Sequence, residues 1–202
     1  MDIAIMLNDA GQFNNLKKAM LETGNFTAHP TESIKLFYKD AIEIDLLPFG
    51  DIETENRKVT LESPNLFVLN MPGFKEVHPF VQEISIDNGL SIKVCTLEGI
   101  ILLKLISHND RPQRNKDITD IEHIISVYFD LNDDDIFVNH FDLMEIYDTK
   151  ERDYLQLVCA RVIGRKLKQL LEGSQILEQQ IDEILTNRPT TWWLAMQNGL
   201  RD

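Results

Sequence analysis

Apolar residues recur with two different periods along this chain, and the change of period divides it. Up to Val94 many of them alternate with polar residues, as along a strand with one covered face, whereas from Leu97 onward they recur every three or four residues, as along helices. "MDIAIML" reads as a strand already under way at Met1. "GQFNNLKKAMLETG" sets Phe13, Leu16, Lys17, Met20 and Leu21 at helical spacing, with Gly24 as a good stop. "SIKLFYKDAIEIDLLPF" predicts two strands joined tightly at Lys39 and Asp40, and in the second of them Ile42, Ile44 and Leu46 share one face while Glu43, Asp45 and Leu47 share the other. "VQEISIDNGLSIKVCT" predicts a hairpin, because Asp87, Asn88 and Gly89 tolerate the positive φ of a tight turn.

The second half reads as helix. "LEGIILLKLISH" is apolar nearly all round, with Lys104 breaking the surface, and "NKDITDIEHIISVYF" places Ile118, Ile121, Ile125 and Tyr128 on a core face. Asn132 to Asp135 (NDDD) reads as an acidic turn or helix start. "ERDYLQLVCARVIGRKLKQLLEG", "SQILEQQIDEILTN" and "TTWWLAMQ" complete the helices, with Trp192 and Trp193 sealing the helical core or forming a partner surface. The predicted fold class is α+β: a mixed or antiparallel sheet domain with flanking helices over 1–95, followed by a helical part over 96–202.

A length of 202 residues is enough to bury a full core, and 43% hydrophobic with 26% charged residues is an ordinary globular balance. The net charge of −13 counts against broad, sequence-independent capture of nucleic-acid phosphates, while leaving room for one local basic site. Cys95 and Cys159 lack metal-ligand spacing and read as core residues of a protein in a reducing cytoplasm. No apolar run is long enough for a membrane span, so the expectation is a soluble cytoplasmic protein with no membrane partner. Zinc motifs of the HExxH type, GxSxG, GxxxxGK[ST] and GxGxxG are all missing from the sequence.

Two groups of residues carry candidate chemistry. Asp2 and Asp45 lie on predicted strands; if those strands are neighbours, the carboxylates converge on one divalent cation, and otherwise they are solvated strand residues. "KLISHNDRPQRNKDITD" gathers Lys104, Arg111, Arg114 and Lys116 in an otherwise acidic chain, beside Asp117 and Asp120 on one helix face. Arg forks and Lys point charges suit phosphate, but the same stretch reads equally as a surface loop leading into a helix whose first turn favours acids. His108, beside this segment, reads as a phosphate contact or as a helix-end polar residue.

Taken in order, "DIAIML", "YKDAIEIDLLPFGDIE" and "CTLEGIILLKLISHNDRPQRNKDITDIEHI" resemble the nucleotidyltransferases related to the AbiEii-type toxins of bacterial type IV toxin–antitoxin systems, within the DNA polymerase β-like superfamily. The resemblance covers roughly residues 1–130. It implies a nucleotidyltransferase-like fold and Mg²⁺-dependent transfer of a nucleoside monophosphate from an NTP to a hydroxyl on RNA, protein or a small molecule. Asp2 looks like the second Asp of the family's Asp-x-Asp and Asp45 like its third carboxylate, both as magnesium ligands. Lys104, Arg111, Arg114, Lys116, Asp117 and Asp120 fit its later basic-acidic motif, which contacts nucleotide phosphates or organises the pocket. Met1 takes the place between the paired aspartates, so the family's Gly-Ser loop and first Asp have no counterpart in this sequence. The expectation is therefore an impaired enzyme from a gene start set too late, or a non-catalytic remnant that binds nucleotide or a cognate antitoxin.

Overall fold

The computed structural model describes residues 1–62, 64–188 and 191–202 and is an α+β protein, divided into the units Met1–Lys75 and Glu76–Asp202. In the first unit, β1 (Asp2–Met6), α1 (Ala10–Glu22), β2 (Phe26–Ala28), β3 (Lys35–Tyr38) and β4 (Ile42–Phe49) build a four-stranded sheet in the order β1-β4-β3-β2. β1 runs parallel to β4, and the other two pairings are antiparallel. α1 begins where Asp9 accepts a hydrogen bond from Gln12 N at 2.9 Å, and it ends just before Gly24, whose φ of 72° few other residues adopt without strain. Its buried Phe13 joins Leu36, Ile44 and Leu46 in the core of this unit, so one face of the sheet is covered. Of Ile42, Ile44 and Leu46, which alternation sets on one face, Ile44 and Leu46 are buried and Ile42 is exposed. The small sheet of β5 (Lys58–Leu61) and β6 (Phe67–Asn70) adds Val59 and Leu61 to the same core.

The β3–β4 turn is one residue longer than the sequence predicts. Lys39 and Asp40 take φ of 49° and 55°, and Ala41 N donates to Tyr38 O at 3.1 Å, as in a tight primed turn. Ala41 is then left over, and Tyr38 pairs with Ile42. A two-residue loop would set Lys35 opposite Ile44 on the core face; the extra residue shifts the register by one and sets Lys35 opposite Asp45.

Short helix α2 (Phe74–Val77) leads into the second unit. There β7 (Gln82–Ile86) and β8 (Leu90–Val94) form the hairpin expected at Asp87–Gly89, as a two-stranded sheet of its own. Helices α3 (Leu97–Asp110), α4 (Asn115–Asn139), α5 (Tyr154–Leu170), α6 (Gln175–Thr186) and α7 (Thr191–Arg201) follow. Thr190, the first residue of the predicted "TTWWLAMQ" helix, lies outside the described residues. NDDD is helical, with one break at Asn132 (φ −138°, ψ 21°) inside α4. Ile101, Leu105, Ile121, Tyr128, Ile163 and Met196 are among the fully buried residues of this core, and Trp193 is buried in it with Trp192 stacked at 4.0 Å between ring centres.

α5 and α7 approach to backbone contact at Gly164 and Gly199. A methyl group at Gly164 would lie 2.0 Å from Met196 O, and one at Gly199 would lie 2.0 Å from Arg161 O. Both partners are helix backbone, which has no rotamer by which to yield. Gly164→Ala should therefore lower the unfolding free energy by about 3 kcal/mol, measured by urea denaturation, since overpacking of this kind forces the helices apart.

Candidate functional site

In the first unit the parallel register pairs Asp2 with Asp45 and the antiparallel register pairs Lys35 with Asp45, so these three residues form one row across β1, β4 and β3. Paired residues of a sheet point to the same side. The row lies on the face opposite Ile44, Leu46 and Phe13. β1 is held here by hydrogen bonds from Asp45 N to Met1 O (2.9 Å) and from Leu7 N to Phe49 O (2.8 Å). Asp2 is exposed and Asp45 half-buried, and the Oδ1 atom of Asp45 is shielded from solvent and accepts no hydrogen bond from the described residues. The Lys35 ammonium lies 3.4 Å from Glu32 Oε2 and 3.5 Å from Glu43 Oε1.

Desolvation lifts the Asp45 carboxyl above its ordinary range, Lys35 opposes the shift, and the negative charge of Asp2 adds to it. An acid of this kind is a good acceptor for a hard cation. Magnesium is held by one or two carboxylates together with substrate phosphate oxygens and water, and the orphaned Asp45 oxygen beside Asp2 fits that demand. Among the described residues no three His, Cys, Asp or Glu side chains gather into a cation-binding group, so the fit rests on this pair. Alternation in the sequence revealed the face of Asp45; Lys35 was missed because its place depends on the bulge at Ala41.

In the second unit the basic-acidic segment is an ion-pair network across α3 and α4. Lys104 Nζ donates to Asp120 Oδ2 at 2.6 Å and to Asp117 Oδ1 at 3.3 Å. Asp117 is only 2% exposed, and its Oδ2 lies 3.3 Å from Arg114 Nε. The bond from Lys104 holds the Asp120 carboxyl below its usual range, with Lys116 contributing at longer distance. His108 is buried and its Nδ1 lies 3.0 Å from Arg114 O, which fixes the loop between the helices. Arg111, Arg114 and Lys116 are exposed. The structure thus brings Lys104, Arg114, Asp117 and Asp120 together and leaves Arg111 and Lys116 facing solvent.

Both cysteines are free thiols. Burial pushes the Cys95 thiol up to about 11 and the Cys159 thiol up to about 12. No helix among the described residues is long and apolar enough to cross a membrane. No family model, curated protein or solved structure matches the chain.

Two outcomes follow from these geometries. Lys104→Met leaves Asp117 buried with Arg114 as its remaining cation, and should reduce stability by about 2 kcal/mol in urea denaturation. For Asp45 the folded state holds the proton more tightly than the unfolded chain, so stability falls as pH rises from the ordinary value of 3.8 through the raised folded value. Asp45→Asn should accordingly melt higher than wild type at neutral pH in metal-free buffer, and the gain should disappear on acidification below 3.8.

Proposed function

We propose that the chain is a nucleotidyltransferase-type protein that binds a nucleoside triphosphate with magnesium and passes the nucleoside monophosphate to an acceptor hydroxyl. The observation that carries this reading is the juxtaposition of Asp2 and Asp45 in the parallel β1–β4 register, with a shielded Asp45 oxygen that no group among the described residues satisfies. The resemblance of residues 1–130 to the AbiEii-related enzymes supports it from the sequence side.

In the proposed reaction the acceptor oxygen bonds to the α-phosphorus, the bond from that phosphorus to the bridging oxygen breaks, pyrophosphate leaves and the hydroxyl proton passes to water. A bound magnesium ion supplies charge neutralisation of the triphosphate. Asp2 and Asp45 would hold that ion, and Lys35 would limit the mutual repulsion of the two carboxylates. In the second unit, taken by itself, Arg111 and Lys116 would offer donors to a phosphate group, while Lys104, Arg114, Asp117 and Asp120 fix the helix ends that present them. The acceptor is RNA, a protein or a small molecule with a free hydroxyl, and an antitoxin protein is the partner the resemblance suggests. The net charge of −13 favours a compact acceptor over a long nucleic acid.

Thermal unfolding of the 202-residue chain with each NTP, with and without Mg²⁺, tests this directly, because a ligand of the native state raises its stability by mass action. A magnesium-dependent rise in Tm is expected with NTP, and Asp45→Asn should abolish the magnesium-dependent part. Equal shifts for the two forms would remove the metal role of Asp45. Binding without transfer to any hydroxyl acceptor would make the chain a nucleotide-binding protein.

A further inference from the structure

In the segment from Phe129 to Ile146, polar side chains share the inward places with Ile136 and Leu143 while large apolar ones stand outside. Asp135 and His140 turn inward, Asp135 to within 2.6 Å of Lys166 Nζ and His140 to 8% exposure, while Phe137, Val138 and Phe141 stand 49%, 77% and 52% exposed. Phe137 forms a ladder with Phe129 and Phe141, at 5.9 and 6.4 Å between ring centres. Large contiguous apolar groups at the surface of a soluble unit mark interaction sites, and aromatic anchors supply most of the energy at such sites.

The surroundings of this ladder select the partner. Of the six carboxylates between residues 129 and 146, Asp135 is paired with Lys166 and Asp142 with Arg165. Asp130, Asp133 and Asp134 are exposed, with Asp133 one helical turn before Phe137 and Asp134 one turn before Val138. A second copy of the chain would bring this acidic rim against itself, which opposes self-association. We propose that the Phe137–Phe141 ladder is a docking surface for a cationic amphipathic helix of a partner protein, whose apolar stripe covers the rings while its lysines and arginines meet Asp130, Asp133 and Asp134.

The probe is a labelled leucine–lysine peptide of about five helical turns with leucines at i, i+3, i+4 and i+7, titrated against the whole chain by fluorescence anisotropy. A peptide of the same composition in scrambled order serves as the comparison. The amphipathic peptide should bind at least about tenfold more tightly than the scrambled one, and Phe137→Ser with Phe141→Ser should remove that difference. Asp133→Asn with Asp134→Asn, at exposed positions that leave the core untouched, should weaken binding severalfold and flatten its salt dependence. Equal affinity for the two peptides would overturn the proposal, as would an affinity unchanged in the aspartate variant. Sedimentation showing a wild-type dimer that Phe137→Ser dissociates would assign the ladder to a second copy instead.

Discussion

The parallel pairing of β1 with β4 is the constraint on which the candidate chemistry depends. It sets Asp2 beside Asp45 on one side of the sheet, and the same register sets Ile3 opposite Leu46 on the other, where both help to cover the Phe13 core. Apolar burial on that side holds the strand in register, so the carboxylate side is placed by packing and has no need to be favourable in itself. The opposite side is indeed unfavourable: Asp45 is desolvated, close to another carboxylate and only partly compensated by Lys35. Strand packing tolerates that local cost, and the desolvated Asp45 beside Asp2 is the juxtaposition on which the proposed metal role rests.

Parts of this arrangement were legible in the sequence, and the illegible parts have physical causes. Period-2 alternation exposed the two faces of β4, and helical spacing with Gly24 exposed α1, because both signals are local. The short strands β2, β5 and β6 escaped notice: three or four residues are too few for a period to register, and Pro64 interrupts the stretch between the last two. Neighbourhood of β1 and β4 is not a local property at all, since a crossover through α1, β2 and β3 separates them. Lys35 depended on a single bulged residue, Ala41, whose presence reverses the face on which Lys35 lies.

The basic-acidic segment shows how charge counting decides between readings. Lys104 carries one positive charge against two carboxylates, and adding Arg114 brings the four-residue network with Asp117 and Asp120 to neutrality. A neutral network has little net attraction for a triphosphate, so its strength goes into holding the end of α3 against the start of α4, with His108 and the Arg114 carbonyl closing the loop. Cationic charge toward solvent is left to Arg111 and Lys116. The local surplus of basic residues is therefore smaller in space than in sequence, and a phosphate role rests on fewer groups than the motif contains.

The break at Asn132 explains why aromatic rings stand outside in a helix whose earlier turns bury Ile121, Ile125 and Tyr128. Asn132 leaves the helical region and its Nδ2 donates to Tyr128 O at 3.0 Å, so the hydrogen bonding of α4 is passed through a side chain and the last turns are rotated relative to the first. After the break, Ile136 and Leu143 supply the buried contacts, Asp135 joins Lys166, and Lys166 in turn approaches Glu98, which accepts the Tyr128 hydroxyl. With the inward positions taken by two aliphatic side chains and a polar network, Phe137 and Phe141 have no place left in the core. A straight helix would have kept a single apolar stripe; the break gives this segment two, one facing the core and one that stays exposed among the described residues.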